Sequence, residues 1–323
     1  MGEKVLVYSP ISEEGARKLE ERFTVVMATP DSPEFMKELS SATGLIGTGL
    51  KIDLALLERA PLLKVVSNIS VGYDNFDVEE LTRRGILATN TPDVLTETTA
   101  DAIFGLLIAT ARRIPELDKY VKEGHWNARL SPSFFGVDVH GKKLGIIGMG
   151  KIGQAIAQRA RFGFKMDILY HNRSRNLEAE EEFGATYLEM DDLLRQADFV
   201  CLMAPQTPET IGLISRREFK LMKKSTIFIN GSRGGLVNED DLAAALKEGY
   251  ILAAGLDVYV QEPIAENHPF LSLPNLVTLP HIGSATSETR EKMEKMACRD
   301  LIATLTGERP GALINEEVMA GRV

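Results

Sequence analysis

Residues 143–160, KLGIIGMGKIGQAIAQRA, constrain this chain more than any other stretch. An apolar run from Leu144 to Ile147 enters a turn carrying Gly148, Gly150 and Gly153. A helical pattern of Ile152, Ile156 and Ala160 leaves it. Strand, glycine turn and helix, in that order, are what a dinucleotide requires. The first glycine makes the tight turn, the second lets the backbone reach a pyrophosphate, and the third lets the helix pack on the strand. The helix start adds N–H groups and the positive end of a dipole. A competing phosphate-loop match, Gly145 to Lys151, fails because Ile152 follows and has no hydroxyl for a magnesium ion.

The rest of the chain repeats this alternation. KVLVY, TVVMA, GLIGT, KVVSNI and ILATN predict five strands before residue 91. KKLGIIG, MDILYH, FVCLMA, TIFING, LAAGLDV and LVTLP predict six more from Lys142 on. Between the two series, TTADAIFGLLIATARR predicts a long apolar helix ended by Pro115, followed by a second helix, ELDKYVKEG. The last helix, SETREKMEKMACRDLIATL, has no strand after it. The pattern predicts two doubly wound α/β units, which suits a length of 323 residues. A formal charge of −9 argues against nucleic-acid and membrane-surface partners. With two cysteines, no apolar run long enough to span a bilayer and no signal-peptide pattern, the expected location is the cytoplasm. Cys201, inside an apolar run, is expected to pack as a small hydrophobe. No histidine–cysteine spacing suggests a metal site.

About twenty residues past the glycine turn, an NAD site carries an acid for the adenosine ribose. Here the segment is YHNRSR, with Asn172, Arg173, Ser174 and Arg175 and no acid. Arginine and serine suit a 2′-phosphate, which a carboxylate would repel. The expected cofactor is therefore NADP(H), with NAD bound more weakly.

Three later strand ends carry Arg233, then Asp257 and Glu262, then His281. Ligands of open α/β sheets bind outside the carboxyl ends of the strands, so these side chains converge. Their types suit carbonyl reduction. Histidine donates a proton near neutral pH, a carboxylate favours its imidazolium, and arginine grips a carboxylate and polarises a carbonyl. A 2-oxo acid presents both targets on adjacent carbons. Leu50, Met203 and Phe270 are candidates for setting pocket width.

With SVGYDNFD, TPDVLTETTAD, GIIGMGKIG, FINGSRGGLV, GLDVYVQEP and LPHIGSAT in this order, the chain resembles the D-isomer-specific 2-hydroxyacid dehydrogenases over its length. It is most similar to their glyoxylate/hydroxypyruvate reductases, including the 2-ketogluconate reductase branch. The resemblance implies a Rossmann nucleotide-binding domain at 100–285, inserted into a flavodoxin-like substrate domain built from 1–99 and 286–323. It implies catalytic roles for Arg233, Glu262 and His281, and backbone contacts from Val71 and Gly72 to the substrate carboxylate. It implies cofactor contacts from Leu95, Thr99, Lys151 and Ile152, and a hold on the nicotinamide amide by Asp257. Arg173 and Arg175 are similar to the basic pair of NADP-preferring members. The helix near residues 98–113 resembles the family's dimer-forming helix, which implies a homodimer. Asp101 stands where many members have glutamate, and the shorter acid puts any contact there in question. The implied activity is NADP(H)-dependent reduction of small 2-oxo acids. The alternatives are an NAD-dependent D-2-hydroxyacid or phosphoglycerate dehydrogenase, and a nucleotide-sensing corepressor.

Overall fold

The computed structural model describes residues 2–320. The chain forms two compact units. One holds the chain up to Leu95 together with the segment from Thr286 onward; the other is Thr96–Ala285. The sequence-level boundary at residue 99 therefore moves to Leu95. The reason is local: the helix Thr96–Ala111 packs as one rod on strands of the second unit, so its first turn goes with it.

The first unit carries β1 (Lys4–Val7), β2 (Thr24–Met27), β3 (Gly44–Gly47), β4 (Val65–Asn68) and β5 (Leu87–Thr89), all parallel. Their order is β2-β1-β3-β4-β5, the doubly wound order of flavodoxin-like sheets. Leu6, Leu45 and Val66 pack with Phe35, Leu39, Leu57 and Leu81 from the connecting helices. The helix Ser287–Leu305 lies against β3, β4 and β5, and the Ser67 hydroxyl donates to the carbonyl of Ala297 at 2.9 Å. The tail thus closes the sheet that the N-terminus begins.

The second unit carries β6 (Lys143–Ile147), β7 (Asp167–His171), β8 (Thr186–Tyr187), β9 (Phe199–Leu202), β10 (Ile227–Asn230), β11 (Ala253–Leu256) and β12 (Leu276–Thr278). The order is β12-β11-β10-β9-β6-β7-β8, all parallel, and it reverses between β6 and β9. Side-chain alternation splits every central strand between two cores. Ile146, Tyr170, Cys201 and Ile229 face one; Ile147, Leu169, Val200 and Phe228 face the other. Each such fully buried large apolar side chain contributes about 1.5–3 kcal/mol. The Thr96–Ala111 helix covers the first of these cores with Ile103, Phe104, Leu106 and Leu107. It lies so close that a Cβ on Gly255 would stand 2.6 Å from the Thr110 hydroxyl, and one on Gly231 would stand 2.4 Å from Ile103.

One expectation changes. Pro115 does not stop the long helix; it sits in the first turn of the next one, Ile114–Lys122, where its missing N–H does no harm. The break falls at Arg113, which adopts a left-handed φ of 56°. The long helix buries Thr99, Ala100, Ile103, Phe104, Leu106, Leu107, Thr110 and Ala111 within its own unit and leaves Ala102, Ile108 and Ala109 half-buried. Asp101, by contrast, reaches its partner. Arg159 Nε donates to it at 2.8 Å, and Arg159 Nη2 lies 2.8 Å from Glu97, tying the long helix to the one that follows the glycine turn. Among the described residues, no helix is long and apolar enough to cross a membrane.

Candidate active site

The glycine turn lies where the strand order reverses. Gly148 follows β6 at φ 103°, and a Cβ there would stand 2.5 Å from the Ala204 N and 2.6 Å from the Met203 carbonyl carbon. A Cβ on Gly153 would come within 2.3 Å of the Gly148 carbonyl. These two glycines are required by backbone packing. Gly150 is different: a Cβ there meets nothing within 4 Å, so the space beside it is open to a ligand. Gly150 caps the helix Lys151–Gln158, whose first bond is from the Gln154 N–H to the Gly150 carbonyl at 2.8 Å. The Ile152 and Gly153 N–H groups therefore precede the helical ladder, as a pyrophosphate site needs. The Ile152 side chain packs toward the first core, and that of Lys151 is exposed.

The loop after β7 is fastened to this turn. The Met149 N–H donates to Asn172 Oδ1 at 2.7 Å, and Asn176 Nδ2 donates to the Met149 carbonyl at 3.0 Å. Asn172 is thus a brace, a role the sequence did not reveal. Arg173, Ser174 and Arg175, between the two asparagines, are exposed. Arg175 pairs with Glu180.

Arg233, Glu262 and His281 follow the adjacent strands β10, β11 and β12. His281 Nδ1 lies 2.7 Å from Glu262 Oε2, while Glu262 Oε1 accepts the Tyr259 N–H at 2.9 Å. Burial pushes the Glu262 carboxyl up. The His281 hydrogen bond, the Tyr259 N–H and the charges of His281 and Arg233 more than offset it, leaving the carboxyl below its usual 4.5. Glu262 is therefore an anion at neutral pH. Nδ1 must then carry the hydrogen toward it, which leaves Nε2 outside this contact. Arg233 acts on Glu262 through its charge, and its own carbonyl is held by Asn230 Nδ2 at 2.9 Å.

His281 sits at φ 53°, a left-handed conformation that residues other than glycine seldom adopt. Asp257 holds it there. Its two carboxylate oxygens accept the N–H groups of Ile282 at 2.7 Å and Gly283 at 2.8 Å. Burial raises the Asp257 carboxyl despite these bonds. Thr99 lies against the same spot, 3.2 Å from a Cβ built on Gly283, so Thr99 and Asp257 are brought together. A further layer escaped sequence reasoning. Glu239 Oε1 accepts the Val260 N–H at 2.9 Å, and its other oxygen lies 3.3 Å from His268 Nε2, so this pair steadies the loop bearing Glu262. An acid opening a helix after the Arg233 segment was visible in sequence, but its partner was not.

In the first unit, the loop after β4 presents Val71 and Gly72. The Ser70 carbonyl accepts the Thr91 N–H at 2.9 Å, and the Val71 carbonyl accepts Asn90 Nδ2 at 2.8 Å. A trans peptide points its N–H opposite its carbonyl, so the Val71 and Gly72 N–H groups face the other way, side by side. Among the described residues, Tyr8 Oη, Asn68 Oδ1 and Thr91 Oγ1 are buried without a partner, all at carboxyl ends of this unit's strands. That is the edge where an open α/β sheet binds ligands. Leu95 is 4% exposed. Phe270 is a core residue at 1% exposure, and Leu50 and Met203 pack partly against their cores, so Phe270 does not set a pocket wall.

A reversing parallel sheet with a glycine turn at its switch point, and a histidine–carboxylate pair at neighbouring strand ends, define an oxidoreductase of the nicotinamide-dinucleotide class. Residues 104–283 match the family described as D-isomer specific 2-hydroxyacid dehydrogenase, NAD binding domain, and the chain belongs to that family. Glyoxylate/hydroxypyruvate reductase B of Enterobacter sp. (strain 638) is 50% identical, over 99% of this chain and 100% of that protein. An NADPH-dependent glyoxylate/hydroxypyruvate reductase from Sinorhizobium meliloti, solved with NADP and malonate, is similar at a TM-score of 0.87 and 31% identity, covering 98% of each chain. A glyoxylate reductase from Paecilomyes thermophila gives a TM-score of 0.88 at 30% identity, over 98% of this chain and 99% of that one.

Proposed function

We propose that this chain reduces glyoxylate and hydroxypyruvate, and larger 2-oxo acids such as 2-ketogluconate less readily, to D-2-hydroxy acids, preferring NADPH, as a cytoplasmic homodimer. The observation that carries this reading is the 2.7 Å contact between His281 Nδ1 and Glu262, next to the strand end of Arg233. The glyoxylate/hydroxypyruvate reductases that match it over 99% and 98% of its length support this substrate class.

The nicotinamide cofactor, when bound, supplies a hydride to the carbonyl carbon. Arg233 binds the 2-oxo acid and polarises its carbonyl. His281 gives its Nε2 proton to the developing alkoxide. Glu262 holds the ring and stabilises the imidazolium before transfer. Gly148, Gly150 and Gly153, with the N–H groups of Lys151 and Ile152, hold the pyrophosphate. Thr99 borders the cofactor, Asp257 holds the nicotinamide amide, and Arg173 with Ser174 takes the 2′-phosphate. Initial rates with NADPH and NADH against a panel of 2-oxo acids test this. We expect the highest kcat/KM with NADPH and glyoxylate or hydroxypyruvate; no oxidation of either cofactor with any of them would overturn the reading.

The dimer is supported by apolar surface on the segment after the long helix. The helix Ile114–Lys122 buries no residue, and Ile114, Val121, Trp126 and Phe135 are 50%, 51%, 63% and 62% exposed. Solitary exposed apolar residues are ordinary, whereas four in one short segment mark an interface. Gel filtration at micromolar concentration should give a dimer, and Trp126→Asp with Phe135→Asp a monomer. A wild-type monomer would remove this assignment. Two free, buried thiols, Cys201 and Cys298, suit a reducing compartment.

A further inference from the structure

Arg173 and Arg175 are equivalent in the sequence and unlike in the fold. Arg175 Nε donates to Glu180 Oε1 at 2.9 Å, and its Nη2 bonds the second oxygen of the same carboxylate. That is the two-pronged geometry in which arginine takes a phosphate. Glu180 itself is anchored. The Tyr170 hydroxyl donates to its Oε1 at 2.6 Å while accepting the Asn176 N–H at 2.8 Å, and the Tyr170 side chain is fully buried. Glu180 also stands in the first turn of the helix Leu177–Phe183, near the positive end of its dipole. The Arg175 and Tyr170 hydrogen bonds hold its carboxyl down at about 2, so it is charged at any working pH. Among the described residues, no comparable clamp holds Arg173. It is exposed, and its charge is one of the smaller influences lowering Glu209, after the Thr207 hydroxyl.

We propose that Glu180 is a specificity-determining residue: an internal counter-ion that occupies Arg175 and limits the preference for NADPH over NADH, leaving Arg173 as the principal partner of the 2′-phosphate. This rests on the cofactor reading above. A bound 2′-phosphate, carrying about −1.5 to −2 charges, either displaces the Glu180 carboxylate from Arg175 or lies beside it, and both weaken NADPH. NADH brings only a hydroxyl and meets neither penalty. The acid that the strand-end loop lacks is thus supplied by the next helix, on the far side of an arginine.

Cofactor titrations followed by fluorescence on the full-length protein test this. Glu180→Gln keeps an acceptor for Tyr170 and removes the charge. It should tighten NADPH about 3- to 10-fold while moving NADH less than about 2-fold. Arg175→Gln should weaken NADPH less than about 3-fold in the wild-type background and more than about 10-fold in the Glu180→Gln background. If Glu180→Gln fails to fold, Glu180→Asp should move NADPH in the same direction by less. Unchanged or weaker NADPH binding on loss of the Glu180 charge, with equal Arg175→Gln effects in both backgrounds, would overturn the proposal. Arg173→Gln separates the two readings. If it weakens NADPH selectively while Glu180→Gln is silent, only the role of Glu180 falls. If it weakens both cofactors equally, the 2′-phosphate assignment falls, and the role of Glu180 with it.

Discussion

His281→Ala should lower turnover by about 10²- to 10⁴-fold while NADPH still binds, because a positioned general acid contributes on that scale. The argument is geometric. Glu262 Oε2 takes Nδ1 at 2.7 Å, Asp257 pins the next two N–H groups, and the left-handed backbone at φ 53° follows from that pin. All three features fix where Nε2 points, and none of them reaches the glycine turn that receives the cofactor. Steady-state rates with NADPH and glyoxylate, beside a cofactor titration, measure the two quantities separately. Near-wild-type turnover at neutral pH would remove His281 as the proton donor. Parallel loss of turnover and NADPH binding would make it a structural residue instead.

Gly234→Ala should be the most damaging change outside the chemical groups. A Cβ there would stand 1.9 Å from the Tyr259 carbonyl carbon and 2.2 Å from the Val260 N. Both atoms are backbone and cannot rotate away, so overpacking of about 1–3 kcal/mol is expected. The strain falls between the residue after Arg233 and the loop that carries Glu262. Misplacing catalytic groups by about 1 Å lowers rates on the order of 10²-fold. We expect kcat/KM to fall by about that factor, with a melting temperature lower by about 2–12 °C, since 1 kcal/mol shifts a domain of this size by about 2–4 °C. Activity and melting temperature both at wild-type values would show that the two loops tolerate separation.

The strands were legible because parallel strands buried on both faces are continuous apolar runs. β8 was not: Thr186 is exposed and Tyr187 half-buried, and the pair bonds to β7 alone and leaves no apolar run to read. Glu262 and His281 were readable as strand-end residues, since the fold class says what strand ends do. The clamp by Asp257 on Ile282 and Gly283 was not, because it joins groups 25 and 26 positions apart and depends on the side-by-side placing of β11 and β12. Glu180 was hidden differently. It is one of several acids in LEAEEEF, and only the helix phase shows which of them turns toward Arg175 and Tyr170. The burial partner of the long helix was hidden in the same way. An apolar helix predicts burial but not by whom, and the fold places Ile103, Phe104, Leu106 and Leu107 against their own sheet.

The two asparagines on Met149 have an evolutionary meaning. Asn172 and Asn176 grip the N–H and the carbonyl of one residue in the glycine turn, and Arg173, Ser174 and Arg175 form a three-residue tip between the grips. The side chains of Arg173 and Ser174 stand outside the fastening, so they can be exchanged without loosening the glycine turn. On the cofactor reading proposed above, a lineage could shift its preference between NADPH and NADH at this tip and at Glu180 while leaving both asparagine grips intact.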